Sequence, residues 1–125
     1  MDSKEYQALA LVTESKNYGE IERVSQEKLV RLLHGGIGVA TEGGEILDAL
    51  KKHIFYGKPL DEVNLKEEVG DLLWYIAIIC DELNTSFDEI MSTNIEKLRA
   101  RYGGKFSEVK ALNRNLQTER AILEK

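Results

Sequence analysis

The chain has 125 residues, 42% of them hydrophobic and 31% charged, with a net charge of −5, which suits one compact globular domain and excludes a disordered tail. Seventeen basic residues against twenty-two acidic ones, with no dense Lys/Arg block, argue against nucleic-acid or membrane binding and leave a small anionic ligand, held in one pocket, as the charged partner to look for. A lone Cys80 in an apolar run, an N-terminus (Met1-Asp2-Ser3-Lys4-Glu5) without the apolar core of a signal peptide, and no run near the roughly 18 apolar residues that span a membrane place the expected location in the cytoplasm.

One proline and repeated helical spacing predict an all-α chain. The first helix starts at Asp2, with Glu5 completing a capping pattern, turns Tyr6, Leu9 and Ala10 inward, and ends near Ser15 to Gly19. Ser25 caps a second helix carrying Leu29, Val30, Leu32 and Leu33, which runs into His34-Gly35-Gly36-Ile37-Gly38. Each helical Gly costs about 1 kcal/mol relative to Ala, so this stretch predicts a bend, a break or very close packing. Helix resumes from Ile37 to Lys52, with Val39, Ile46, Leu47, Ala49 and Leu50 on one side. After the loop at Tyr56-Gly57-Lys58-Pro59, Asn64 is the expected cap of the next helix and Glu67 the carboxylate that reaches back to it. That helix has a stripe of Val69, Leu72, Ile76, Ile79 and Leu83, with Trp74 and Ile78 on its far side, so it is apolar nearly all round and calls for burial on several sides, as a subunit interface provides. Ser86 and Glu89 form a capping box for a helix with Phe87, Ile90, Met91, Ile95 and Leu98 inward, stopped after Tyr102 by Gly103-Gly104. Ser107 to Lys125 reads as a last helix with a thin apolar edge of Val109, Leu112, Leu116 and Leu123.

Two acid pairs at three-residue spacing, Glu42 with Glu45 and Glu68 with Asp71, carry the chemistry. Such spacing puts both side chains on one helix face, roughly 5 to 6 Å apart at Cβ. Helical projection sets both pairs at core margins, where four gathered carboxylates call for divalent cations. Carboxylates without Cys or paired His select a hard ion, Mg²⁺ or Mn²⁺, and the absence of Glu-x-x-His around His34 and His53 sets a di-iron bundle aside. Downstream, Asn94, Lys97 and Arg101 form a stripe that can meet phosphate charge. The same residues also suit structural roles: Lys97 and Arg101 in a solvated face paired with Glu96 or Asp88, Asn94 as a satisfied buried amide, Tyr75 and Trp74 as core or interface aromatics. Lys51, Lys52 and Lys58 reach phosphates or solubilise a helix end.

Glu42-Gly43-Gly44-Glu45, twenty-two intervening residues and then Glu68-Val69-Gly70-Asp71 resemble the paired acidic signature of MazG-like all-α nucleoside triphosphate pyrophosphohydrolases. The likeness extends through Leu33-His34 and Gly38, Leu47-Asp48-Ala49-Leu50-Lys51-Lys52, Asp71-Leu72-Leu73-Trp74-Tyr75, and Asn94-Ile95-Glu96-Lys97-Leu98 with Arg101-Tyr102, over roughly residues 26 to 106. It implies a four- to five-helix bundle in residues 1–106, a C-terminal helical extension in 107–125, and assembly as a dimer or dimer of dimers. It further implies hydrolysis of a (deoxy)nucleoside triphosphate to monophosphate and pyrophosphate. Glu42, Glu45, Glu68 and Asp71 would hold Mg²⁺, with Glu42 or Glu45 taking the proton of water. Lys97 and Arg101 would stabilise the leaving pyrophosphate, and Asn94, Tyr75 and His34 would contact the nucleotide. A phosphoribosyl-ATP pyrophosphohydrolase and a catalytically silent helical dimer that binds nucleotide or protein are the alternatives.

Overall fold

The computed structural model describes residues 2–16 and 25–125, and all regular structure among them is helical. Helix α1 (Ser3–Val12) is capped as the sequence predicts: the Lys4 and Glu5 amides donate to Asp2 Oδ1 at 2.9 and 2.8 Å. It stops earlier than expected, where the Thr13 hydroxyl donates to the Ala10 carbonyl at 2.8 Å; Asn17 to Gly19 of the expected end lie outside the described residues. Tyr6, Leu9 and Ala10 are not turned inward, since α1 buries no residue. Among the described residues, no other helix makes more than marginal contact with α1.

The two segments predicted on either side of the glycines are one helix, α2 (Gln26–Tyr56), about 47 Å long at 1.5 Å per residue. Ser25 accepts the Lys28 amide at its start, and Gly57, at φ +63°, ends it in the left-handed conformation that glycine adopts without strain. Of the three outcomes predicted for the glycine stretch, close packing is the one observed. A Cβ at Gly35 would come within 2.5 Å of Ile79 Cγ1 and 3.2 Å of the Tyr75 carbonyl oxygen, and a Cβ at Gly38 would overlap the Tyr75 ring. Gly36 faces open space.

Helix α3 (Glu62–Glu82) begins three residues before the expected start. Asp61, not Asn64, is its cap, accepting the Val63 and Asn64 amides at 3.1 and 3.0 Å. Asn64 lies inside the first turn, so Glu67 has no cap to reach back to. α3 runs antiparallel to α2: Arg31 near the start of α2 donates to Asp81 and Glu82 at the end of α3, each at 2.7 Å, followed along the pair by Gly35 against Ile79 and Gly38 against Tyr75.

Helix α4 (Phe87–Tyr102) has both predicted ends, with Ser86 accepting the Glu89 amide at 3.2 Å and Gly103 at φ +63°. The single helix expected after Ser107 is two: α5 (Glu108–Leu112), capped by Ser107, and α6 (Leu116–Leu123), capped by Asn115, which accepts the Thr118 amide at 3.1 Å. Side-chain capping by Asn113 and Asn115 at the junction, with Asn113 Nδ2 donating to the Val109 carbonyl, explains the break. α5 and α6 both pack on α4.

The expected apolar stripes exist but stay open. Among the described residues Cys80 is the one buried apolar side chain, while Leu47, Val69, Leu73, Trp74, Leu83, Ile90 and Met91 are exposed.

Candidate active site

The α2–α3 pair brings three of the four predicted acids together. Glu42 on α2 and Glu68 and Asp71 on α3 each offer a carboxylate oxygen within 4.8 Å of the others. Glu68 is buried, Glu42 half-buried and Asp71 exposed, so the cluster lies at the margin of the helix pair and opens on one side. The Glu42 carboxyl titrates above its ordinary value because it is desolvated, then because it lies within hydrogen-bonding reach of Glu68 and is repelled by Glu68 and Asp71; Thr41 opposes the shift weakly. Three carboxylates held this closely form a hard, all-oxygen donor set, and a divalent cation is the ligand that relieves their repulsion. Glu67 is exposed and outside the cluster.

Glu45 does not join the three. It is exposed and lines an adjoining cavity of about 190 Å³ with Asp48, Lys52, Lys58, Asp61 and Asn64. Asn64 connects cavity and cluster, since its Nδ2 donates to Glu68 Oε1 at 2.6 Å and fixes the orientation of that carboxylate. The sequence assigned Asn64 to a cap and so missed this role; its four-residue spacing to Glu68 on one helix face was the available signal. Lys51 and Lys52 both pair with Asp48, at 2.6 and 2.5 Å, and hold its carboxyl down at about 2. His53 donates from Nδ1 to the Lys58 carbonyl at 2.8 Å and ties down the loop that forms the far wall.

One turn beyond Asp71, toward the Arg31 end, three rings meet edge to face. Trp74 and Tyr75 have centroids 4.9 Å apart, and His34 lies 5.7 Å from Tyr75 and 6.2 Å from Trp74. Gly38 allows the Tyr75 ring to lie against the α2 backbone, so the predicted contacts His34 and Tyr75 share one surface next to the acids. Trp74 is 58% exposed and presents an open aromatic face.

The basic stripe is placed apart from the acids. Asn94, Lys97 and Arg101 lie on α4, which packs on α5 and α6 and at most marginally on the α2–α3 pair. Asn94 is exposed and Lys97 half-buried, so the buried-amide role for Asn94 does not apply. Arg101 pairs with neither Glu96 nor Asp88. Its Nε and Nη2 donate to both oxygens of the buried Glu119 on α6 at 2.7 and 2.5 Å, and Arg114 Nη2 donates to the same carboxylate at 2.6 Å. Two guanidiniums, Arg101 first, hold the Glu119 carboxyl down at about 2, and Glu119 in return raises Arg101.

An all-helical domain that gathers three carboxylates at the edge of an antiparallel helix pair, beside an aromatic patch, belongs to the class of helical proteins whose acids offer an oxygen donor set that could hold a metal ion. A sequence-family profile narrows it: the MazG nucleotide pyrophosphohydrolase domain matches residues 37–106, more than half of the chain, and the chain belongs to that family. The match takes in both acid pairs, the Trp74–Tyr75 patch, and Asn94, Lys97 and Arg101. No curated protein and no solved structure matches the chain.

Proposed function

We propose that this protein hydrolyses (deoxy)nucleoside triphosphates between the α and β phosphates, releasing the monophosphate and pyrophosphate. The convergence of Glu42, Glu68 and Asp71, in a chain of the MazG family, carries the proposal. These three residues, with Glu45 beside them, would hold one or more Mg²⁺ or Mn²⁺ ions, which when bound neutralise the triphosphate and orient the attacking water. Glu68 is fixed for ligation by Asn64, a restraint of the kind that tunes metal sites. Glu45, whose oxygens stay outside the converging three, is the carboxylate left to accept the proton of the water as its oxygen bonds to the α phosphorus and the bond to the bridging oxygen breaks. His34 and Tyr75 hold the nucleoside against the aromatic patch. Lys97 and Arg101 stabilise the negative charge that leaves on pyrophosphate, and Asn94 hydrogen-bonds the substrate.

Self-association as a dimer or dimer of dimers belongs to this proposal. A compact monomer of 14.2 kDa exposes about 6,800 Å² by the surface scaling of folded chains, whereas this chain exposes 10,396 Å². The excess, roughly 3,600 Å², is several times the ~800 Å² that one partner buries in a standard interface. Association through these open apolar faces would cover Val69, Leu73 and Trp74 and give the α2–α3 acids an α4 from another copy, with its Asn94 and Lys97.

Incubating the protein with a panel of ribo- and deoxyribonucleoside triphosphates and Mg²⁺ tests the reaction. Monophosphate plus pyrophosphate is expected; orthophosphate would overturn the bond assignment, and silence across the panel would favour a binding protein. Glu68→Gln should abolish turnover with helix content intact, and Glu67→Gln should not.

A further inference from the structure

The C-terminal segment builds a second charged site that lies largely beyond the family match. A cavity of about 200 Å³ opens between α4, α5 and α6, lined by Arg101, Lys110, Asn113, Asn115, Thr118 and Glu119. Arg101 on α4 and Lys110 on α5 line it together with the carboxylate of Glu119, and Arg114, in the connection after α5, pairs with the same carboxylate. Both guanidiniums approach Glu119 through the same edge, Nε with Nη2. Each guanidinium thus commits two of its five N–H donors to Glu119, and Arg101 also interacts with Tyr102, whose ring centroid lies 5.5 Å from its Cζ. Lys110 donates from Nζ to the uncharged Tyr102 carbonyl at 3.2 Å and, among the described residues, pairs with no carboxylate. The ensemble carries an excess positive charge, in a cavity whose remaining polar walls are amides and a hydroxyl.

The volume is below that of pockets that enclose a whole drug-sized ligand, which points to a small anion. Glu119 already presents two oxygens to Arg101 as a phosphate would, and planar, bidentate recognition of this kind is what guanidinium offers to either group. Because Glu119 holds both arginines from one side, they are orientated before any ligand arrives.

We propose that this cavity is an oxyanion site that binds pyrophosphate through Arg101 and Lys110, with Glu119 as the positioning residue for Arg101. The choice of pyrophosphate rests on the proposed hydrolysis, which releases it; the site itself does not. The bound group is either the terminal phosphates of a triphosphate or free pyrophosphate, and the two share the same donors.

Titration calorimetry of the full chain with inorganic pyrophosphate, in the presence of a chelator so that divalent cations play no part, tests the site. Wild type and Glu68→Gln should bind one pyrophosphate per chain alike. Lys110→Ala, an exposed position whose loss leaves the Arg101–Glu119–Arg114 cluster in place, should weaken binding at least tenfold at unchanged helix content, and Lys110→Arg should retain it. Absence of saturable binding, or equal affinity in Lys110→Ala, would overturn the proposal and leave the cluster as a fastening for α6. In turnover, a raised KM with kcat preserved in Lys110→Ala assigns the cavity to the triphosphate end, whereas unchanged KM with lost inhibition by pyrophosphate assigns it to the free ion. If no triphosphate is hydrolysed at all, the calorimetric result still decides the site.

Discussion

Replacing Gly38 by Ala tests the packing that holds the α2–α3 pair together. A Cβ there would lie closer than 3.0 Å to Cδ1, Cγ and Cε1 of the Tyr75 ring, whereas carbon atoms settle at about 3.5–4.0 Å. The ring has to retreat by roughly 1 Å or more, and it is already held edge to face by Trp74 at 4.9 Å and His34 at 5.7 Å. Overpacking of this kind costs about 1–3 kcal/mol, partly offset by the ~1 kcal/mol that Ala gains over Gly inside a helix. Gly36, two residues earlier, has nothing within 4 Å of an added Cβ, so Gly36→Ala should show the helix gain without the clash. At roughly 4 °C per kcal/mol for a domain of this size, Gly38→Ala should melt several degrees below Gly36→Ala and below wild type, measured by circular dichroism at one fixed chain concentration because association contributes to stability. Gly38→Ala melting at or above wild type would refute the close-approach explanation, as would equal losses in the two variants.

The acid cluster and its surroundings give further expectations. Because the Glu42 pKa is raised in the folded chain, its contribution is fully present below the ordinary carboxylate range and is lost as pH rises through the raised value. Without divalent cations, stability should therefore fall as pH rises above the ordinary carboxylate range, and Mg²⁺ should raise the melting temperature more where Glu42 is ionised than where it is protonated, an effect absent in Glu68→Gln. Asn64→Leu removes the donor to Glu68 Oε1 and should weaken Mg²⁺ affinity about tenfold, as loss of a ligand's supporting hydrogen bond does, measured by calorimetric titration. Glu119 is lowered from 4.5 to about 2, so its stabilisation is present above pH 4.5 and lost as pH falls toward 2. Protection of the α6 amides against exchange, relative to their intrinsic rates, should fall across that window in wild type and be low already at neutral pH in Glu119→Ala. Leu73→Arg places a charge on the open α3 face and should shift the chain toward monomer in light scattering.

Several helix ends were legible from the single residue that makes the cap. Asp2, Ser25, Ser86 and Gly103 each hold the position their residue type predicts, because a hydroxyl or carboxylate before a helix, or a glycine after it, acts on backbone groups only a few residues away. Asp61 and Asn64 show where such local reasoning divides. Both are good caps, and the position three residues upstream won, leaving Asn64 to serve Glu68. The glycine stretch was readable as unusual but not as continuous helix, since that depends on Tyr75 and Ile79, which reach Gly38 and Gly35 from another element. Arg101 illustrates the same limit at the site: its stripe on α4 was visible, whereas Glu119, eighteen residues on and across a helix break, follows from tertiary packing alone.

Helical projection favours Glu68 over Glu67, independently of the cap that Asn64 does not make, and the geometry explains why Glu68 is the residue that faces Glu42. α2 and α3 approach closely where Gly35 and Gly38 leave the α2 surface without side chains. From that contact the antiparallel pair runs on to Glu42, one turn past Gly38, and to Asp71, one turn before Tyr75, so the two acid positions meet one turn beyond the same contact. Glu68 is three residues from Asp71 on the same face and enters the cluster with it, while Glu67 is rotated away by 100°. The glycines that looked like a weakness in the helix therefore set the register that brings the carboxylates together. A substitution that forces the helices apart at Gly38 should lower divalent-cation affinity along with stability, although it touches no ligand.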